Sequence, residues 1–423
     1  MARTSPLARL AERNETGGRR GITAVCSANP FVLEAALGEA AGTGAPVLIE
    51  ATCNQVNHRG GYTGWTPADF AGHVAALAAE TAVPAGQVLL GGDHLGPNPW
   101  RSRPAEEAMR ESERMIAAYV AAGFAKLHLD TSMPCADDPV ALPEATIAAR
   151  AARLAAAAEH AAAATGAAPF YVVGTEVPPP GGAHEVVDSL EVTRPEAALR
   201  TMALHREAFR ATGVGHACER VIALVVQPGV EFGSANVAPY RPEKARALSA
   251  CLDELPGLVF EAHSTDYQPV SCLAALVDDG FAILKVGPAL TFALRECLYG
   301  LDAAARFLDP GAPSLVAAME ALMCGRPADW QPYYGGSPEE QRIARHFSYS
   351  DRIRYYWSLP EARAAVDDLL ARLGDRPLPE TMVSQYLPRL YPRVAEGSLA
   401  GTPRALIDAS IRDVLGTYRA ACR

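Results

Sequence analysis

The chain has no uninterrupted apolar span long enough to cross a bilayer. Its longest Ala-rich run, 148–164, is broken by Arg150, Arg153, Glu159 and His160 and reads as a soluble helix. Residues 1–20 are studded with Arg and Glu and lack the apolar core of a signal peptide. Nine cysteines include no CxxC pair, which suits free thiols in a reducing cytoplasm better than a disulfide framework or a zinc knuckle. There is no basic excess either: 38 Lys and Arg stand against 48 Asp and Glu, a formal charge of −10. Neither nucleic acid nor an anionic membrane surface is therefore an expected partner. A Gly-Lys nucleotide loop is absent, which argues against a kinase, and no GxGxxG follows the first apolar run.

What is present is a repeating unit. Short apolar runs at 22–26, 47–52, 88–94, 126–130, 171–176, 221–226, 258–263 and 283–286 alternate with helical stretches. Parallel strands need such crossovers, and eight units over 308 residues predict a (β/α)8 TIM barrel, with an open doubly wound sheet as the runner-up. The helix-to-strand turns at 121–124, 254–257 and 278–281 are short and carry glycine, whereas the strand-to-helix loops are mostly long and polar. That asymmetry places the chemistry at the C-terminal ends of the strands. From 309 to 423 the unit stops recurring, and a helical extension packed on the barrel is expected. Its aromatic and basic stretches, 328–334 and 347–357, read mainly as core packing, with Arg352 or Arg354 reaching a ligand as the sharper alternative.

Polar residues end nearly every strand. They are Ser27, Glu50 with Asn54, Asp93 and His94, Asp130 with Ser132, Glu176, Gln227 with Glu231, His263 with Asp266, and Lys285. Any one has a plain explanation as a buried, hydrogen-bonded side chain. Two histidines and several carboxylates at one barrel mouth instead make a nitrogen and oxygen donor set for a divalent ion such as Zn²⁺ or Mn²⁺. Strand alternation puts Lys126, His128 and Asp130 on one face, with His128 deeper, where a core role is expected; Glu261 and His263 also share a face. The expected ligands are His94, His263 and Glu176, with Asp130 behind them or as a fourth. Asp93, in the stretch Gly91-Gly92-Asp93-His94-Leu95-Gly96-Pro97-Asn98, is the expected acid/base, with Glu176 and Asp130 as further catalytic candidates. Asn54, Gln227, Ser264, Asp266, Lys285 and Arg354 are expected to face substrate. An ion beside a carboxylate base suits retro-aldol cleavage of a C–C bond, or a proton shift next to a carbonyl.

These strand-end motifs carry a resemblance. Glu50-Ala51-Thr52 with Asn54-Gln55-Val56-Asn57, the stretch 91–98, His128-Leu129-Asp130, Gly174-Thr175-Glu176-Val177-Pro178, Gln227-Pro228-Gly229-Val230-Glu231-Phe232, Glu261-Ala262-His263-Ser264-Thr265-Asp266, Lys285-Val286-Gly287-Pro288 and 350–357 resemble the accessory, so-called non-catalytic, subunit family of class II tagatose-1,6-bisphosphate aldolase. The resemblance implies a TIM barrel related to class II aldolases, and some members of the family are regarded as ketose 4-epimerases. Against the catalytic aldolases, Asp93-His94 resembles their base and metal ligand, Asp130-Thr131-Ser132 their Asp-Gly-Ser, and His263 their seventh-strand metal histidine. Gln227 stands where those enzymes place another metal histidine. Their phosphate is gripped by backbone N–H groups after the last two strands. Here Asp266 would repel it and Pro288 lacks an N–H, a hint of an unphosphorylated sugar unless Arg295, Arg352 or Arg354 supplies a clamp. Two roles follow from the resemblance: a metal-dependent ketose 4-epimerase acting on a ketose or ketose phosphate, or a stabilising subunit for a separate catalytic aldolase. A cytoplasmic homo-oligomer is expected in either case.

Overall fold

Eight parallel strands close on themselves in the computed structural model, which describes residues 5–12, 20–174 and 190–422. The strands in chain order are β1 (Ile22–Cys26), β2 (Val47–Thr52), β3 (Val88–Leu95), β4 (Lys126–Leu129), β5 (Phe170–Val173) and β6 (Val221–Val225). A small antiparallel hairpin follows, β7 (Glu231–Phe232) and β8 (Val237–Ala238), then β9 (Val259–Ala262) and β10 (Ile283–Val286). The barrel order β1-β10-β9-β6-β5-β4-β3-β2 is the expected (β/α)8 arrangement, with the hairpin inserted in the sixth loop. That hairpin was not foreseen; two-residue strands leave no periodicity to read.

The helices of the ring are α1 (Pro30–Thr43), α2 (Pro67–Glu80), α3 (Ala105–Ala121), α4 (Glu144–Thr165), α5 (Pro195–Ala211), α6 (Pro242–Ala250), α7 (Val270–Asp278) and α8 (Pro288–Leu308). Their starts are set locally. Thr66 and Asp69 form a reciprocal capping box on α2, and Asn29 accepts the N–H of Phe31 on α1, each with a proline at the first helical position. Helix α8 begins at Pro288, where Gly287 and Pro288 turn the chain directly off β10.

The interior has two levels. Toward the N-terminal ends of the strands, Ala24, Leu48, Val172, Ala223, Val259 and Ile283 fill the barrel, and Leu7 and Leu10 from the 3-10 turn Pro6–Arg9 pack beneath them. One step further up, the inward positions become Glu50, Asp93, Lys126, Glu261 and Lys285, all buried. The change from apolar to charged happens within single strands, two residues apart, as the strand period requires.

The extension contributes α9 (Leu315–Gly325), α10 (Pro338–Phe347), α11 (Pro360–Leu373), α12 (Glu380–Tyr386), α13 (Tyr391–Ala395) and α14 (Pro403–Ala421). Helix α14 packs against α1, α7 and α8, and the Tyr418 hydroxyl donates to the Thr265 carbonyl at 2.7 Å. The 3-10 turn Arg352–Tyr355 reaches the barrel mouth, with the Tyr355 ring 5.0 Å from that of Tyr62. Among the described residues, no helix is long and apolar enough to cross a membrane.

One buried histidine of the ring makes stability depend on pH. His205 on α5 is 1% exposed, its Nδ1 lies 2.8 Å from the Thr201 carbonyl, and burial pushes its pKa from 6.5 down to about 4. The unfolded chain binds the proton first, so the stability tied to neutral His205 is complete above pH 6.5 and is lost as pH falls toward 4. The full loss is about 3 kcal/mol. His205→Met is expected to flatten the acid limb of the melting temperature between those two pH values; an unchanged limb would show that His205 is not the titrating group.

Candidate active site

Three imidazoles meet at the centre of the barrel mouth, and each has one ring nitrogen beside a carboxylate. His94 Nδ1 lies 2.8 Å from Asp130 Oδ2, and His263 Nε2 lies 2.9 Å from Glu261 Oε1. His128 Nδ1 lies 3.0 Å from Asp93 Oδ1 and 3.2 Å from the backbone N–H of His94. The ring centroids are 4.8 Å (His94–His263), 5.1 Å (His94–His128) and 5.1 Å (His128–His263) apart. A carboxylate on one imidazole nitrogen fixes the ring and raises the basicity of the other, which is how metal-ligating histidines are held.

Local backbone features make this approach possible. Strand β3 shifts register against β4 between Gly92 and Leu95, and His94 takes a left-handed φ of 48°. Such a φ is uncommon for a non-glycine residue. Gly96 then crosses so close to β4 that a Cβ would sit 1.6 Å from the Asp130 carbonyl, so only glycine lets His94 and Asp130 meet. Ser264, directly after His263, repeats the left-handed geometry with φ 54°.

Beneath the imidazoles lies a buried ion network. Lys126 Nζ is 2.6 Å from both Glu50 Oε1 and Glu261 Oε2; Lys285 Nζ is 2.8 Å from Asp93 Oδ1 and also pairs with Glu50. The whole chain contains three lysines, Lys126, Lys244 and Lys285, and two of them are here. Burial alone would push the carboxyls up, but His94, Lys285 and His128 hold Asp93 well below the usual range. Lys126 and Lys285 do the same for Glu261, and His94 for Asp130. His263 is pushed down to about 3 by burial, which its bond to Glu261 only partly offsets. For His94 burial loses to Asp93 and Asp130, and the pKa rises.

Formally, four carboxylates (Glu50, Asp93, Asp130, Glu261) face two ammonium groups. The excess negative charge and the neutral His263 both suit a divalent cation. Donor atoms of Asp93, His128, Glu261 and His263 lie within 4.8 Å of one another, and the buried Nε2 of His128 has no hydrogen-bond partner. Imidazole nitrogen with carboxylate oxygen is a donor set for Zn²⁺ or Mn²⁺, so the residues present fit the ion that the fold family implies.

Among the residues expected from sequence, Asp93, His94 and His263 line a cavity of about 80 Å³ together with Asn54, Ser264, Asp266, Lys285 and Arg354. Asp130 stands behind His94. Gln227 is not among the lining residues: its Oε1 accepts the N–H groups of Gly229 and Val230 within its own loop. Glu176 lies outside the described residues. Asp266 does not face substrate as a bare charge, because its Oδ1 accepts the N–H groups of Gly287 at 3.0 Å and Ala289 at 2.8 Å. Burial nevertheless pushes it up to about 6. Lys126 and Glu261 join the site without having been expected as site residues, Glu50 enters it as one of the strand-end carboxylates, and His128 belongs to it rather than to an apolar core. The available signal was a charged residue inside each of four apolar strand runs, on the inward parity.

Residues 7–423 match the family described as D-tagatose-1,6-bisphosphate aldolase subunit GatZ/KbaZ-like. The chain is 53% identical over 421 residues to a D-tagatose 6-phosphate 4-epimerase from Agrobacterium fabrum, covering 99% of this chain and 98% of that protein. It is 56% identical, with a TM-score of 0.89, to a crystal structure from Sinorhizobium meliloti described as a probable tagatose 6 phosphate kinase, covering 95% of this chain and 100% of that one. A fructuronate–tagaturonate epimerase from Cohnella laeviribosi shares the fold at a TM-score of 0.51 and 13% identity, over 100% of this chain and 84% of the other. Eight closed strands, a helical extension and a match over almost the full length make this chain a member of the D-tagatose-1,6-bisphosphate aldolase subunit GatZ/KbaZ-like family.

Proposed function

We propose that the chain is a divalent-metal-dependent ketose 4-epimerase that opens and recloses the C3–C4 bond of a ketose 6-phosphate by retro-aldol and aldol steps. The observation that carries this reading is the carboxylate-held imidazole triad with Asp93 beside it at the barrel mouth. The 53% identical relative, named for tagatose 6-phosphate, supports the substrate class.

Asp93 is the base. Its Oδ1 is engaged by Lys285 and His128, while Oδ2 has His94 Nε2 no nearer than 3.8 Å and is the oxygen left for substrate. Asp93 takes the proton of the C4 hydroxyl as the C3–C4 electrons form a C2–C3 double bond and the C2 carbonyl electrons move to O2, leaving an aldehyde at C4 and an enediolate over C2–C3. The aldehyde turns its other face, the enediolate attacks, and Asp93 returns the same proton to the new C4 oxygen. Atoms and charge balance without an external reductant. Lys285 keeps Asp93 ionised between steps. His128, His263 and Glu261 would hold the ion, with His94, fixed by Asp130, as a further imidazole donor; when bound, the ion supplies Lewis-acid stabilisation of the charge developing on the sugar. The alternative role, a stabilising subunit for a separate aldolase, needs none of these contacts.

Purified protein is expected to interconvert tagatose 6-phosphate and fructose 6-phosphate, to lose this activity in EDTA, and to regain it with Zn²⁺ or Mn²⁺. Protein that makes no epimer under any metal, yet prolongs the life of an aldolase subunit, would establish the alternative. In D2O, nuclear magnetic resonance of the product is expected to show no deuterium at C3 or C4, because both C–H bonds survive a retro-aldol route; deuterium at either carbon means a proton shift instead. Asp93→Asn is expected to lower kcat by about 10²–10⁴-fold, the usual worth of a general base. Near-normal turnover would remove Asp93 from the mechanism.

A further inference from the structure

The cavity above the imidazoles opens into a second one. This larger space, about 380 Å³, lies between the loop after β1, the start of α8, and helices α11 and α14 of the extension. Cys26, Gln55, Tyr62, Gly287 and Arg354 line both, so a molecule held at Asp93 can reach into it.

Three arginines stand in its largely apolar walls. Arg354 stands at the junction, with Arg363 from α11 and Arg404 from the first turn of α14 further along, against two exposed carboxylates, Glu34 and Asp367. None of the three arginines has an ion-pair partner among the described residues. Arg354 donates only to neutral oxygens, the carbonyls of Ser350 and Asp351 and the Tyr355 hydroxyl. A second observation also points to an absent acceptor: Trp357 lines the cavity, is 7% exposed, and its buried Nε1–H has no partner. By contrast, the buried guanidinium of Arg345 is paired with Glu320.

The usual place for a phosphate in such a barrel is closed. Asp266 already occupies the N–H groups of Gly287 and Ala289 at the start of α8. A phosphate carried at the far end of a ketose held at Asp93 has guanidinium groups as its remaining charged donors.

We propose that this arginine-lined cavity is the phosphate subsite, binding a phosphate monoester through Arg354, Arg363 and Arg404. The identity of the sugar rests on the epimerase reading; the phosphate contact does not. Guanidinium forks match phosphate oxygens in charge and geometry.

The test uses the full chain and inorganic phosphate, titrated by calorimetry, because Arg363 and Arg404 are exposed and their replacement leaves the core intact. The double variant Arg363→Gln, Arg404→Gln is expected to bind phosphate at least about tenfold more weakly than the parent. The control Arg342→Gln, on the exposed face of α10, is expected to bind as the parent does. With ketose 6-phosphate as substrate the loss appears in KM rather than kcat. Phosphate binding that is absent in the parent, unchanged in the double variant, or weakened equally by Arg342→Gln overturns the subsite. If the parent does not epimerise but the double variant still loses phosphate, the epimerase reading falls and the subsite stands. If the parent epimerises and the double variant keeps its KM, the reverse holds.

Discussion

Everything at the barrel mouth depends on two lysines placed where a TIM barrel normally has branched aliphatic side chains. Lys126 joins Glu50 to Glu261 across the barrel, and Lys285 joins Glu50 to Asp93. Buried ion pairs are poor sources of stability, since desolvation cancels most of the attraction. Their value here is positional. Without the lysines, three carboxylates with no exposure above 3% would face one another, and Asp93 could stay ionised only by moving apart from its neighbours. Gly91 makes the geometry possible, because a Cβ there would lie 2.5 Å from Glu50 Oε1 and deflect the carboxylate from Lys126.

The apolar level below meets the energetic cost of this layer. Ala24, Leu48, Val172, Ala223, Val259 and Ile283 form a dry floor, and Leu7 and Leu10 pack under it. A rigid floor and a fixed charge layer together hold three imidazoles at about 5 Å from one another without relying on loops. Sites carried on strands hold tighter geometry than sites carried on loops. At the ends of β3 and β9, His94 and Ser264 take left-handed backbone where strand gives way to loop.

Strand ends were readable because each apolar run stops at a polar residue, and Asp93, His94 and His263 follow from that rule alone. The register of runs 22–26, 47–52 and 283–286 agrees with β1, β2 and β10 residue for residue. Lys126 and Glu261 escaped because their meaning is relational. A charged residue inside a strand looks like an edge or an error until its partner is known, and Glu50 and Lys285 are 235 positions apart. Depth alone assigns His128 to the core, yet the inward residue two positions below it is Lys126, so the polar layer extends beneath it. Asp266 shows the opposite limit. The sequence shows its charge, but not that the carboxylate accepts the N–H groups of Gly287 and Ala289 at the helix start.

The C-terminal extension turns a shared barrel into a particular one. Of its two candidate arginines, Arg352 is buried over the Tyr333 ring at 3.1 Å and serves packing, while Arg354, two residues on, reaches the mouth. Packing and ligand contact are thus divided within one 3-10 turn. What fixes that turn is Asp351, left-handed at φ 47°, whose Oδ2 accepts the Thr291 hydroxyl at 2.6 Å and whose Oδ1 faces buried Arg295 at 3.7 Å. Thr291 and Arg295 both lie on α8, the helix that Asp266 caps from the loop after β9. The barrel's last helix therefore sets, from one side, the carboxylate that fills the helix start and, from the other, the arginine that faces it. A barrel lacking the extension would keep the imidazoles and Asp93 but lose Arg354, Arg363 and Arg404 together, and with them the proposed phosphate subsite.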